Sequence, residues 1–182
     1  DYKVTGVQTC ALPISQIGSL TTTQIAGLAT TQISGLTSTD LNEFADTQIT
    51  SFSSTQIGAL SATNFSALDA TQVGGLSTTQ VSGLSSTIMR GLNETDVSEF
   101  STTQLGALSA TQLGSLTSTA FSALDGTQVG SLSTTQLRGM TTTQVGGLST
   151  TDIGEFTSTQ VGSLATTQLG ALDRKSTRLN SS

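Results

Sequence analysis

The sequence predicts an all-α solenoid, a superhelix of very short helical turns with one turn per octapeptide; a β-solenoid is the alternative. Three observations carry this expectation. Thr recurs every eight residues from Thr23 to Thr167, with Ser15 in the first place, so 20 octads follow one another without insertion or deletion. The third and sixth slots of every octad are apolar, from Ile17 and Leu20 to Leu169 and Leu172. Most octads also carry the start signal of a helix, a Ser, Thr, Asp or Asn three places before Gln.

The octad 79–86 and the residues before it show how one unit is built. Ser77 followed by Gln80 is a capping box. The Ser hydroxyl accepts from the backbone N–H of Gln80, and the Gln side chain reaches back to the N–H of Ser77. Leu76 and Val81 form the matching hydrophobic staple. The cap slot holds Ser, Thr, Asp or Asn in almost every octad, including Asp69, Asn93 and Asp125. Gly or another small residue usually follows the third-slot apolar residue, so the turn can end and a neighbour can approach. Each octad therefore reads as about one and a half helical turns plus a corner.

A single long helix fails, because eight residues advance 800° and the apolar stripe would drift about 80° per repeat. Repeated Gly and β-branched residues would also lower its helicity. Thr, Val and Ile favour a β-solenoid, but apolar residues three apart face opposite sides of a strand unless every octad bends. A disordered low-complexity linker does not need such strict apolar spacing. Helices this short are unstable alone, so the neighbouring repeats of the same chain are the expected packing partners.

Composition excludes several activities. The chain has 182 residues, no His, a single Cys and a formal net charge of −6. A Ser-His-Asp triad, a Cys-His pair and imidazole or thiolate metal sites are ruled out, and no cofactor is expected. Negative charge argues against nucleic acid and anionic membranes. Apolar residues never persist beyond a few in a row, so no membrane insertion is expected.

The two ends differ from everything between them. Residues 1–15, DYKVTGVQTCALPIS, and 173–182, DRKSTRLNSS, resemble the in-frame translation of a short-read sequencing adapter, one copy at each end in opposite orientation. The genetic code supplies a check. Ile14 to Thr5, read backwards, each have a codon antisense to one for Asp173 to Ser182, ten matches in a row. The resemblance implies that both segments are non-native and leaves 16–172 as the octapeptide-repeat solenoid, an uncapped stretch of a longer array. Cys10, Pro13 and Tyr2 then fall outside it, so cysteine usage indicates no redox compartment. Within 16–172 ten Asp and Glu face only Arg90 and Arg138, a charge of −8.

A longer period overlies the octad. TDLNEF (39–44), TDVSEF (95–100) and TDIGEF (151–156) are spaced by 56 residues, as are NFSALD (64–69) and AFSALD (120–125). Residues 39–94 and 95–150 share 30 identities in 56, which favours duplication of a seven-octad block. Seven octads closing a whole number of superhelical turns is a compatible expectation, and it would stack the special octads. These octads hold the candidate site: Asp40 with Glu43, Asp96 with Glu99, and Asp152 with Glu155. Carboxylates three apart share a helix face, and oxygen ligands suit a weak Ca²⁺ site. The structural alternative is favoured: Asp complements the helix N-terminus and Glu is a solvated surface residue. Gln fills the second slot in 14 of 20 octads; capping explains it better than a polar ladder. The Ser/Thr rows, as a hydroxyl face for glycan or ice, are likewise explained by turn and cap chemistry.

The octads T-Q-[IV]-x-x-L-[ST]-[ST] resemble repeat arrays of large, adhesin-like bacterial surface and secreted proteins across 16–172. The resemblance implies a stalk or spacer module, extracellular or at the cell surface, and supplies no functional residue. Ligand binding by the solenoid, through the acidic octads or the Ser/Thr/Gln face, is the alternative function.

Overall fold

A computed structural model of the chain describes the backbone of residues 14–179 and the side chains of residues 17–172. Among these residues lie 19 α-helices, from Thr22–Ala26 to Thr166–Leu179, preceded by a 3₁₀ turn at Ile14–Ser19, and no strand. The fold is an all-α solenoid of one short helix per octad. The β-solenoid alternative fails because a helical turn puts residues three apart on one face, which a strand cannot do. Residues 1–13 and 180–182, most of the adapter-like N-terminal segment and the last part of the C-terminal one, lie outside the described residues. Residues 173–179 continue the final helix.

All helices but the last span only four to six residues. Most start on an extended residue whose side chain caps the helix: Ser77 has φ −69° and ψ 158°, and its Oγ accepts from the Gln80 N–H. Ala29 and Ala45 hold the same place without a side-chain cap. Most end as the sixth-slot N–H tightens onto the third-slot carbonyl, as in Leu84 N–H to Val81 O at 3.1 Å. The sixth-slot residue then turns extended, as at Leu76 with φ −66° and ψ 133°. Two extended residues thus make the corner between one helix and the next.

The third- and sixth-slot side chains of successive octads form one continuous core, a single side chain deep, with Phe65 and Phe121 among its largest members. Successive coils pair by hydrogen bonds spanning 28, 30 and 31 residues. A coil therefore takes about 28 residues, or three and a half octads, and the 56-residue sequence period spans two coils. The half-octad offset staggers the helices like bricks. The helix Thr78–Ser82 packs on Ser54–Gly58, while its Gln80 reaches the carbonyls that follow Asp46–Ile49. Coils approach closely enough that glycine is required at some crossings. A Cβ on Gly83 would overlap the backbone and side chain of Ser54, and one on Gly139 would overlap Ala110.

Candidate functional site

The second slot does more than cap. In Gln80, Oε1 accepts from the Ser77 backbone N–H at 2.8 Å and from the Ser77 hydroxyl at 2.8 Å. Nε2 donates in the opposite direction, to the carbonyls of Phe52 (2.7 Å) and Thr50 (3.0 Å) one coil earlier. Gln48, Gln56, Gln104, Gln112, Gln136, Gln144, Gln160 and Gln168 repeat this arrangement, and all are buried. The amide is a two-ended tie: its acceptor closes its own helix and its donors fasten the coil beneath. Capping alone was an incomplete reading of this row. The missed signal is that the second slot never holds Glu, although a capping box accepts Glu as readily as Gln. A carboxylate has no hydrogen to give to a carbonyl.

The three acidic octads replace this amide by Asp, and the structure compensates one coil away. Asp96 is 5% exposed, and its Oδ2 accepts from the Asn93 backbone N–H at 2.8 Å, preserving the cap. In place of a carbonyl it meets the hydroxyl of Ser66, which donates to Oδ2 at 2.6 Å. Asp152 repeats this, accepting from the Ser149 N–H at 2.6 Å and from the Ser122 hydroxyl at 2.8 Å. A donor has been exchanged for an acceptor, and the facing acceptor for a donor. Asp40 accepts from the Thr37 N–H and hydroxyl, both at 2.8 Å.

Ser66 and Ser122 lie in the NFSALD and AFSALD octads, so the two special octad types of the 56-residue period pack on each other. The contact extends beyond the Ser–Asp pair. Phe65 stacks on Phe100 with centroids 6.1 Å apart and an interplanar angle of 15°, and Phe121 meets Phe156 at 6.3 Å. Glu99 is half-buried and close to two carboxylates; burial, then Asp96, then Asp69 raise its pKa above the ordinary glutamate value. Burial, Asp152 and Asp125, in that order, do the same at Glu155. Sequence reasoning had Asp69 and Asp125 as helix caps, which they are, with Oδ1 accepting from Gln72 and Gln128 N–H. It missed their place beside Glu99 and Glu155. The constant offset of 30 residues between Ser66 and Asp96, and between Ser122 and Asp152, was the available clue. The positions below Asp40 and Glu43 lie outside the described residues.

The six acidic residues are not gathered in one place. Successive acidic octads stand two coils apart, each joined to the FSALD octad one coil before it. No group of three or more Asp, Glu, His or Cys among the described residues is arranged to hold a metal ion. An open groove of about 370 Å³ lies between Asn93–Thr95 and Thr117–Ala120, and its one ionisable group is Glu94. A lone solvated carboxylate among hydroxyls offers no base–nucleophile pair. No buried side-chain nitrogen or oxygen among the described residues lacks a hydrogen-bond partner. No helix among them is long and apolar enough to cross a membrane.

Residues 121–158, which run from the second FSALD segment through the acidic octad TDIGEF, match the ALTTAQ repeat family. No curated protein and no solved structure matches the chain.

Proposed function

We propose that the chain is a structural module, a rod-like spacer with no chemistry of its own, within a larger bacterial protein at the cell surface or outside the cell. The observation that carries this reading is the double use of the second-slot side chain. The buried second-slot amides and the hydroxyls that cap the helices are consumed in closing a helix or tying one coil to the next. Such a stack resists bending because each coil contacts its neighbours along a whole turn. The ALTTAQ repeat match supports a repeat module. The resemblance of the octads to arrays of surface and secreted proteins supports the location.

Small-angle X-ray scattering on chains of one, two and three copies of 39–94 tests the rod. A spacer keeps a constant cross-section while its length grows in equal steps; growth as the square root of chain length, the mark of a flexible coil, would overturn the reading. The genomic sequence flanking this chain tests the location, since secretion and surface-anchoring segments are expected there. The ligand-binding alternative is tested by titrating Ca²⁺. A spacer gives no binding heat and an unchanged Tm, whereas a saturable heat lost in Glu99→Gln and Glu155→Gln would make the acidic octads a cation site.

A further inference from the structure

We propose that the groove beside Ala120 binds an acetamido sugar, whose N-acetyl group does there what a glutamine amide does elsewhere in the stack. The inference goes beyond the spacer reading, because a rigid spacer needs no ligand.

The second-slot side chain normally bridges two coils. Gln112 accepts from the cap N–H of Ser109 at 2.7 Å and donates to the carbonyl of Leu84, 28 residues earlier, at 2.8 Å. Asp96 and Asp152 keep the acceptor half, and Ile88 fills the space with a fully buried side chain. Asn64 keeps a carboxamide, whose Nδ2 donates to the Leu36 carbonyl. Ala120, the counterpart of Asn64 56 residues later, carries only a methyl group. Both ends of the tie are then open. The Thr117 backbone N–H and the carbonyl of Leu92, 28 residues before Ala120, have no hydrogen-bond partner among the described residues.

The groove of about 370 Å³ coincides with this lost tie. Thr117 and the buried Ala120 line it from the later coil, and Asn93, directly after Leu92, lines it from the earlier one. Polar groups around it have capacity to spare. Asn93 Oδ1 is committed to the N–H groups of Thr95 and Asp96, which leaves the Nδ2 hydrogens of the same side chain. The Thr117 hydroxyl accepts from the Ala120 N–H at 3.1 Å and keeps its own hydrogen. The Glu94 carboxylate and the hydroxyls of Thr95 and Thr119 belong to exposed residues of the same lining.

These groups select the ligand. What the octad lacks is a planar amide that accepts on one side and donates on the other. A trans secondary amide points its C=O and its N–H in opposite directions. An N-acetyl group therefore accepts from the Thr117 N–H and donates to the Leu92 carbonyl, and its methyl group meets that of Ala120. Beyond the amide, the lining offers hydroxyls, a carboxamide and a carboxylate, donors and acceptors that suit the hydroxyls of a sugar ring. No cationic side chain lines the groove, so nothing there favours a phosphate or a carboxylate ligand.

Backbone chemical shifts of the 182-residue chain, titrated with N-acetylglucosamine, are the test. Saturable shifts are expected at the Thr117 N–H and the Leu92 carbonyl carbon, and none with glucose, which lacks the amide. Ala120→Gln returns a carboxamide to the octad. It is expected to abolish the shifts and to leave Tm at or above that of wild type, because the tie is restored. Should that variant melt lower, the exposed Glu94→Ala takes its place, with binding weakened several-fold at unchanged Tm. Absence of shifts, shifts confined to other residues, or shifts that persist undiminished in the variant would each overturn the inference. So would glucose or acetamide binding as tightly as the acetylated sugar. The scattering test of the rod depends on none of these outcomes.

Discussion

At Gln80 one planar amide makes hydrogen bonds in two directions that no other side chain could supply at once: Oε1 accepts within its own octad, and Nε2 donates to the octads one coil earlier. Its removal leaves the carbonyls of Thr50 and Phe52 and the N–H of Ser77 without it in a buried setting. Gln80→Ala is therefore expected to cost about 2–3 kcal/mol in urea unfolding. Gln24→Ala loses only a solvated cap and is expected to cost about 0.5–1 kcal/mol. The Glu99 carboxyl makes a second residue-scale prediction. Burial and two facing carboxylates raise its pKa in the folded chain, so the neutral acid suits the fold better than the anion. The stability it contributes is fully present below the unfolded-state pKa and is lost as pH rises through the raised folded value. Melting temperature is expected to fall from pH 4 to pH 7 by this contribution and the matching one at Glu155. The double variant Glu99→Gln, Glu155→Gln should flatten that part of the profile and melt higher than wild type at neutral pH.

An octad survives as an element because it ends its own helix twice over, with a capped start and a 3₁₀ finish. The helix Asp46–Ile49, like Thr30–Ser34 with its Ala29, lacks one of these and measures it. Its N-cap is Ala45, which has no side-chain acceptor, although the Gln48 half of the box remains at 2.8 Å. Ala45 is exposed, so Ala45→Ser is expected to add the missing bond and raise stability by about 0.5–1 kcal/mol, read from the denaturant midpoint. Packing between elements sets the opposite limit at the glycines. Gly83→Ala pushes a methyl into Ser54 of the coil beneath and is expected to cost about 1–3 kcal/mol. Gly106 lies inside the helix Thr102–Ala107 with open space where a Cβ would go, and Gly106→Ala is expected to stabilise by about 0.4–1 kcal/mol. Gly83 stands in the fifth slot of its octad and Gly106 in the fourth, and fifth-slot glycines from Gly75 to Gly147 all face the coil beneath at close range.

For the molecule as a whole, coil length is the governing quantity. Deleting 39–94 removes seven octads, two coils, and joins Ser38 to Thr95 with every slot in place. The shortened chain is expected to keep its helical circular dichroism per residue and unfold cooperatively at a lower temperature, because stability in such a stack grows with the number of coil interfaces. Deleting 91–94 alone removes half an octad. It throws the third and sixth slots of one coil off those of the next, and loss of the cooperative transition is expected despite the smaller cut.

The octad, its helix, the two apolar slots and the cap chemistry are all legible along the chain, because each depends on contacts within three or four residues. Ser77 caps Gln80, and Ile25 or Val81 is buried, for reasons that any single octad contains. The path from octad to coil is different in kind. It depends on the angle of each corner accumulated over three and a half repeats, and no local pattern states that sum. Tertiary structure alone therefore decided that Gln104 meets Leu76, that Ser66 answers Asp96, and that Asp69 comes to lie beside Glu99. The 56-residue period recorded these pairings in advance, since the duplicated block carries both members of each. Which octad faces which became readable only once the coil length was known.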